Sequence, residues 1–431
     1  MKGYDAIVVG AGPAGATAAL AMANKGLKVL VVERGPTVGS KNMFGGMVSH
    51  CPVVEELVPG FWEQAPWERH VVKRTLTVLS EAAATSIVFE SENFDRQPYN
   101  GYTLFRPIFD RWYARKAVDA GATLLAGCLA EDVVLQNASI TGIRIGRGKG
   151  QVHAPITILC DGVLSLLARR LGLSKPAEAR NVALGVKALF RLKEEEINER
   201  FGLLRRQGAS QEFLGCTEGI RGGGFVYTQT ETLSVGLVVH LDSLKESRKA
   251  PYDLFQRFLT REPVRKLLKE ARLVEYSAHV LPEGGYRLVP QLSAGGLLLA
   301  GDAAGLCYTN GLNQEGMNLA MTSGFLAAET AIDAFEKGNF SEKQLAGYEA
   351  RLKESFVLKD MRTFGAAEEL MHNDRLFSVY PNLVGTIMEQ LYRSDGRPKR
   401  GMGRVAWDAA RNSLPLKHLI ADALKGGGSL I

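Results

Sequence analysis

Two rhythms of apolar residues divide this chain. Asp5–Gly10 (DAIVVG) and Lys28–Glu33 (KVLVVE) are short apolar runs, the mark of strands buried on both faces. The alanine-rich stretch Ala14–Asn24 between them predicts a helix, so residues 5–33 read as one βαβ unit. Ile156–Asp161 (ITILCD) and Gly295–Asp302 (GGLLLAGD) return to the same buried style. Pro36–Arg74 is rich in glycine and proline and reads as irregular, with exposed strands over Arg74–Val88. Phe105–Ala120 predicts an amphipathic helix, followed by an apolar run at Thr123–Gly127 and a hairpin over Ala130–Ile145. After Lys175 the rhythm changes. Ala183–Leu192, Gly224–Thr230, Leu233–Leu241 and Leu273–Leu281 read as strands of an antiparallel sheet, with a helix near Tyr252–Ala271. Helices dominate from Gly316 onward, including Gly316–Phe335 and Glu342–Phe364. The expected architecture is α/β. A doubly wound, Rossmann-like domain takes residues 1–75, 100–175 and 290–335, an inserted antiparallel-sheet domain takes 76–99 and 176–289, and a helical C-terminal region spans 336–431.

Composition narrows the functions open to such a chain. With 46% hydrophobic and 23% charged residues over 431 positions, it is an ordinary globular sequence and not a disordered one. The net charge is +6, and most of it lies after Leu391, where eight basic residues from Arg393 to Lys425 face three aspartates. The nearly neutral remainder excludes a nucleic-acid-binding body. The basic tail is left as a candidate contact for an acidic partner or an anionic membrane surface. Cys51, Cys128, Cys160, Cys216 and Cys307 are odd in number and far apart. They exclude a disulfide framework and a self-contained zinc or iron–sulfur site, and point to a reducing compartment. Ala6–Asn24 is uncharged over 19 residues, but its glycines and Pro13 identify a turn rather than a membrane span. Any membrane contact is expected to be peripheral.

The chemistry is carried by glycines and single acids at strand ends. Gly10-Ala-Gly12-Pro13-Ala14-Gly15 follows a strand and opens a helix. Gly10 permits the tight turn, Gly12 lets a pyrophosphate approach the backbone, and Gly15 lets helix and strand pack closely. Glu33, followed by Arg34, stands at the end of the second strand, placed to accept from ribose hydroxyls. Gly301-Asp302-Ala-Ala-Gly305 closes a later strand, and Cys160-Asp161-Gly162 ends another with Ser165 three residues on. In this order the three motifs resemble the signature of FAD enzymes of the hydroxylase-like fold. That resemblance implies FAD, with Arg106 near its phosphates and the backbone of Val133 near its adenine.

Four further segments narrow the resemblance. Lys41-Asn-Met-Phe-Gly45-Gly46, Ala65-Pro66-Trp-Glu68-Arg69, Pro282-Glu-Gly-Gly-Tyr286-Arg-Leu-Val-Pro290 and Gly311-Leu-Asn313-Gln-Glu315-Gly316 resemble the FixC-type electron-transfer-flavoprotein:quinone oxidoreductases over essentially the whole chain. The resemblance implies an FAD subunit that takes electrons from a two-subunit electron-transfer flavoprotein and passes them to a membrane quinone. It also implies use within an NADH-oxidising, electron-bifurcating complex in some members. The expected place is the cytoplasm, at the inner face of the cell membrane. Gly45-Gly46-Met47 is expected along one side of the flavin ring and Gly311-Leu312-Asn313 near its pyrimidine end. Larger relatives end in a ferredoxin-like domain whose cysteines hold a [4Fe–4S] cluster. This chain lacks those cysteines, so the resemblance implies a separate small ferredoxin-like subunit. The tail after Leu391, with Trp407 and Leu414–Leu424, is its expected docking surface. No catalytic acid or base and no metal ligand is assigned, and His240 and His279 are read as satisfied sheet residues. Leu57–Trp62 with Trp67 reads either as an interfacial loop or as packing against the sheet or a partner. Two other flavoenzyme classes share the fold. A geranylgeranyl-reductase-like enzyme would carry an aromatic-x-Trp-x-Phe-Pro strand, replaced here by Gly224-Phe-Val-Tyr227-Thr-Gln229. An aromatic hydroxylase would need no partner.

Overall fold

The computed structural model describes residues 3–42, 45–146, 148, 150–175, 178–311 and 314–428. Its first sheet runs in the order Ser293–Ala294, Leu297–Leu299, Ile156–Leu159, Ala6–Val9 (β1), Val29–Glu33 (β2), Thr123–Ala126. All neighbours are parallel except the first pair. Every residue of β1, of Ile156–Leu159 and of Leu297–Leu299 is buried, so these strands carry no alternation. The helix Pro13–Asn24 (α1) covers one face and is itself covered by the helix Met317–Glu336. Gly324 on the latter crosses α1 so closely that a Cβ there would run into the Ala14 backbone. Proline at its first position and small residues along its length let α1 lie flat under both neighbours.

The second sheet has nine strands. Their order is Arg272–Pro282, Val182–Arg191, Thr232–His240, Gly222–Thr228, Gln207–Leu214, Trp67–Leu79, Gly101–Leu104, Gly46–Ser49, with Ala84–Glu90 also on Trp67–Leu79. It is antiparallel except where Gln207–Leu214 meets Trp67–Leu79. Phe255, Phe258, Phe213, Val235 and Val239 form its core beneath two short helices, Pro251–Thr260 and Glu262–Leu267. The chain turns extended at Arg261 between them, which splits the single helix expected near 252–271.

The larger sheet begins earlier than the apolar pattern indicates. Trp67–Leu79 is a 13-residue strand in its middle, and Gly46–Ser49 and Gly101–Leu104 extend it, although 36–74 reads as irregular and as part of the first domain. Four successive residues, Arg69 to Val72, are buried, so burial on both faces removes the alternation. Arg69 hides the strand further. It is 1% exposed, yet its guanidinium donates to the carbonyls of Gln229 (2.8 Å), Gln207 (2.8 Å) and Thr230 (3.2 Å) and to Asn198 Oδ1 (2.7 Å). Gln207–Leu214 also escapes the pattern, because its middle is Ala209 and Ser210 rather than large apolar residues. The aromatic cluster resolves the open question at Leu57–Trp62. Phe61 and Trp67 are buried and pack with Trp62, Tyr99, Tyr102 and Trp112, so the segment is core and not an interfacial loop.

Candidate functional site

A cavity of about 860 Å³ opens between the two sheets, near the upper end of the usual small-molecule range of roughly 300–1,000 Å³. Gly10, Gly12, Pro13, Ala14, Glu33, Arg34, Gly45, Gly46, Met47, Arg106, Asp161, Gly162, Gly301, Asp302 and Gly311 all line it, drawn from segments up to 300 residues apart. Gly15 lies underneath, pressed against the Gly10 carbonyl and Val8, which is its packing role. Val133 is set back. It is 3% exposed, its N–H donates to Asp132 Oδ1 (3.0 Å), and the wall here is Cys128–Glu131 instead. Leu312 and Asn313 lie outside the described residues.

These residues fit a dinucleotide on two independent grounds. A Cβ at Gly12, Gly46, Gly162 or Gly311 would meet nothing within 4 Å, so the backbone is bare where a ligand must come close. The N-terminus of α1 has no side-chain cap, which leaves its N–H groups for an anion. Glu33 is oriented by its own neighbours: Oε2 accepts the Ala11 N–H (3.0 Å) and Oε1 the Gly35 N–H (2.6 Å). Its remaining lone pairs are left to accept from the hydroxyls of a bound ribose. Arg106 pairs with buried Asp110 at 3.0 Å, and Asp110 also accepts the Asn42 amide. Burial pushes the Asp302 carboxyl up, with the Arg106 charge and then His279 opposing.

The far half of the cavity is the face of the second sheet. Lys187, Phe225 and Glu212 stand in one row across it, paired through Gly236. The Phe225 ring lies over Gly236, stacks on Tyr227 at 4.7 Å, and has the Lys187 ammonium 5.5 Å from its centroid. Lys187 donates to the Gly45 carbonyl. Burial pushes its pKa down to about 7, and the Arg106 charge adds to that. Burial likewise raises Glu212 to about 7 and Glu283 to about 8. His279 is held neutral chiefly by burial. His240 is 4% exposed, and its Nδ1 meets no hydrogen-bond partner among the described residues. Both histidines line the cavity from sheet strands, and His240, with its unpartnered nitrogen, departs from the reading as a satisfied sheet residue.

Relatives resolve which flavoenzymes share this arrangement. A "probable electron transfer flavoprotein-quinone oxidoreductase YdiS" of Escherichia coli (strain K12) is 39% identical over 99% of both chains. "Protein FixC" of Azorhizobium caulinodans is 39% identical over 92% of both. Family models match as FAD dependent oxidoreductase at residues 5–170, ETF-QO ubiquinone-binding at 182–281, and ETF-QO/FixC family C-terminal domain at 367–431. The chain belongs to the FixC/electron-transfer-flavoprotein:quinone oxidoreductase family. It is an FAD-dependent flavoprotein oxidoreductase. Among solved structures, a geranylgeranyl bacteriochlorophyll reductase-like protein from Thermoplasma acidophilum shares the fold (TM-score 0.74, 22% identity, 98% of this chain and 100% of that one). The FAD-dependent halogenase CndH does so at TM-score 0.67 and 18% identity, over 96% of this chain and 98% of that one.

The family segments now have physical roles. In Ala65–Arg69, Trp67 Nε1 donates to the Trp62 carbonyl (2.9 Å), Glu68 accepts the Thr230 N–H (3.1 Å), and Arg69 ties four segments together. Asn42 and Gly45 are cavity wall, while Met43 and Phe44 lie outside the described residues. In the sequence motifs Tyr227 and Glu283 stand only inside longer segments without a role of their own, and Lys187 and Glu212 have no counterpart. Their signal is a lone ionisable residue inside a strand run, as Lys187 is in VALGVKALFR. Among the described residues no helix is long and apolar enough to cross a membrane.

His240 gives this family member an acid-sensitive joint. Burial, His372 and Arg221 together push its pKa down to about 4, so the folded protein refuses a proton that the unfolded chain accepts below 6.5. The stability this contributes is whole above pH 6.5 and is lost as pH falls to about 4. His240→Phe is expected to remove roughly 3 kcal/mol of that acid-induced loss, read from urea unfolding at several pH values. Equal slopes for both proteins would show that His240 is not held neutral.

Proposed function

We propose that this chain passes electrons from an electron-transfer flavoprotein to a membrane quinone. The observation that carries the proposal is the continuity of the cavity. The dinucleotide half runs without a partition onto the sheet face bearing Leu76, Leu214, Val238 and Leu281. That sheet is the part matched as ETF-QO ubiquinone-binding. FAD bound in the first half supplies a centre that takes up and gives out electrons singly or in pairs. Glu33, Arg106 and the α1 N-terminus hold its nucleotide, Gly45–Met47 and Gly311 border its ring, and Lys187 and Asp302 set the charge between the halves. The apolar sheet face excludes water and seats a flat ring with a prenyl tail.

The partners follow from the same reading. A small ferredoxin-like [4Fe–4S] subunit docks on the C-terminal helices, where Met402 and Trp407 are exposed beside Arg400 and Arg404. The assembly works at the inner face of the cell membrane, and in an NADH-oxidising setting its electron-transfer flavoprotein bifurcates electrons. The test is anaerobic. Reduced electron-transfer flavoprotein, the cluster protein, this chain and a short-chain quinone are mixed, and quinol formation is followed. Quinol that appears only with all components supports the reading. Reduction of isoprenoid double bonds with no quinol, or full turnover without a cluster protein, defeats it.

A further inference from the structure

One carboxyl on the cavity wall, Glu283, has a second, Glu368, behind it, and neither is among the residues assigned to the nucleotide. Glu283 follows the strand Arg272–Pro282 and lines the wall. Its Oε1 accepts the Gln314 side-chain amide at 2.7 Å, and its backbone N–H donates to the Asn181 carbonyl at 2.9 Å. The side chain is thereby fixed, with Oε2 left to carry a proton. Glu368 approaches from the other side, on the helix Gly365–Met371. Its carboxyl lies on the Cα of Gly285, so close that no side chain fits at that position. Outside Glu368 stands the ion pair of Arg287 and Glu369, whose side chains are 80% and 57% exposed. Glu283 thus lines the cavity, and Glu368, two residues along at Gly285 and close enough to act on the Glu283 charge, lies between it and the exposed pair.

Each carboxyl has reason to hold a proton at neutral pH. Burial first, and then the facing Glu368, push Glu283 up to about 8. Burial raises Glu368 to about 7, with Arg287 opposing and Glu369 adding. Cys307, whose thiol feels the Glu283 charge, is pushed far up by burial and stays protonated. Lys187 and His279 share the cavity with Arg106, whose charge disfavours a proton on either, so they are poorer stores.

We infer that Glu283 donates protons to the substrate oxygens in this cavity and that Glu368 recharges it from solvent. The inference rests on the quinone reading above. A quinone becomes a quinol by taking two electrons, supplied through the flavin, and two protons, drawn from water. As each new O–H bond forms on the quinone, the Glu283 O–H breaks. The Glu283 carboxylate then takes the Glu368 proton, and Glu368 takes one from water beside Arg287 and Glu369. Two such cycles balance the reaction.

The test uses the full FAD-loaded chain, reduced with dithionite, freed of excess reductant and mixed in a stopped-flow instrument with either of two acceptors. One is a short-chain ubiquinone, which needs protons; the other is ferricenium, which needs none. The readout is the ratio of the two rates. Glu283→Gln is expected to lower the ratio by about 100-fold, the ordinary worth of a positioned general acid. In the wild type the ratio should fall as pH rises through about 8, a limb that Glu283→Gln abolishes. Glu368→Gln should lower the ratio less and move the limb to lower pH, because it removes the facing like charge. Independently of turnover, infrared spectra of the FAD-free protein at pH 7 should show a protonated carboxyl band that Glu283→Gln lacks. A Glu283→Gln protein with the wild-type ratio and pH profile overturns the donor role alone. Wild-type protein that reduces ferricenium but no quinone overturns the quinone reading and the donor role with it.

Discussion

Gly12→Val is expected to leave the polypeptide folded and to strip it of flavin. Gly12 adopts φ −72° and ψ −173°, an extended conformation that valine takes without strain. A Cβ there meets no protein atom within 4 Å, so the fold has nothing to object to. What the side chain fills is the space where a pyrophosphate must reach the N–H groups of α1. The affinity for FAD should fall at least about 100-fold, equivalent to roughly 2.7 kcal/mol. Flavin absorbance after desalting measures the loss, and urea unfolding of the FAD-free protein measures the fold. The neighbouring glycines behave differently. Gly10 has φ +99° and faces the Cys160 carbonyl, and Gly15 abuts the Gly10 carbonyl, so valine at either should destabilise the protein itself. Full flavin occupancy in Gly12→Val would mean the dinucleotide lies elsewhere, and a lowered unfolding midpoint would mean the space is not open.

Arg69→Met should cost about 4 kcal/mol of stability, the range for breaking a buried, fully bonded charge network. Methionine retains much of the bulk but none of the donors. The carbonyls of Gln229, Gln207 and Thr230 and the Asn198 amide oxygen would lose their partner inside the protein. Glu194, 3.6 Å from the guanidinium, would lose its counter-charge. Lysine is expected to recover only a minor part, because one ammonium cannot reach acceptors on several sides of a planar fork. Urea titration of the FAD-loaded protein decides the matter; a loss below about 1 kcal/mol would mean that water or a rearranged side chain replaces the network.

The dinucleotide half of the site was legible in the sequence because backbone chemistry writes it locally. Gly10 to Gly15, Glu33, Asp161 and Asp302 each sit at the end of an apolar run, and the cavity gathers all but Ala11 and Gly15 onto its wall. The sheet half was not legible, since its unit is a row across strands rather than a run along one. Lys187, Phe225 and Glu212 become neighbours only through the register of four strands, and no spacing in the chain announces it. The strand Trp67–Leu79 was hidden for a related reason: Arg69, a charged residue near its start, is among the most buried side chains in the protein. The segment Ala65–Arg69 could mark the family before its task of stitching the sheet was apparent. His240 shows the limit of a good rule. A histidine in a strand is usually satisfied there, and this one instead buries a nitrogen without a partner among the described residues, on the wall of a cavity that only the folded chain creates.

The first sheet also sets a timetable for synthesis. β1, α1 and β2 leave the ribosome first, but β1 is fenced by Ile156–Leu159, that strand by Leu297–Leu299, and α1 by the helix Met317–Glu336. At roughly 5–20 residues per second, about 15 to 60 seconds separate the glycine turn from the strand that completes its sheet. Throughout that interval the most apolar strands of the protein have bare edges, and the nucleotide cradle has only one wall. Nascent chains should therefore hold chaperones until about residue 340 has emerged. Flavin loading belongs to the finished polypeptide, and a message cut short before that point yields aggregate rather than a small flavoprotein.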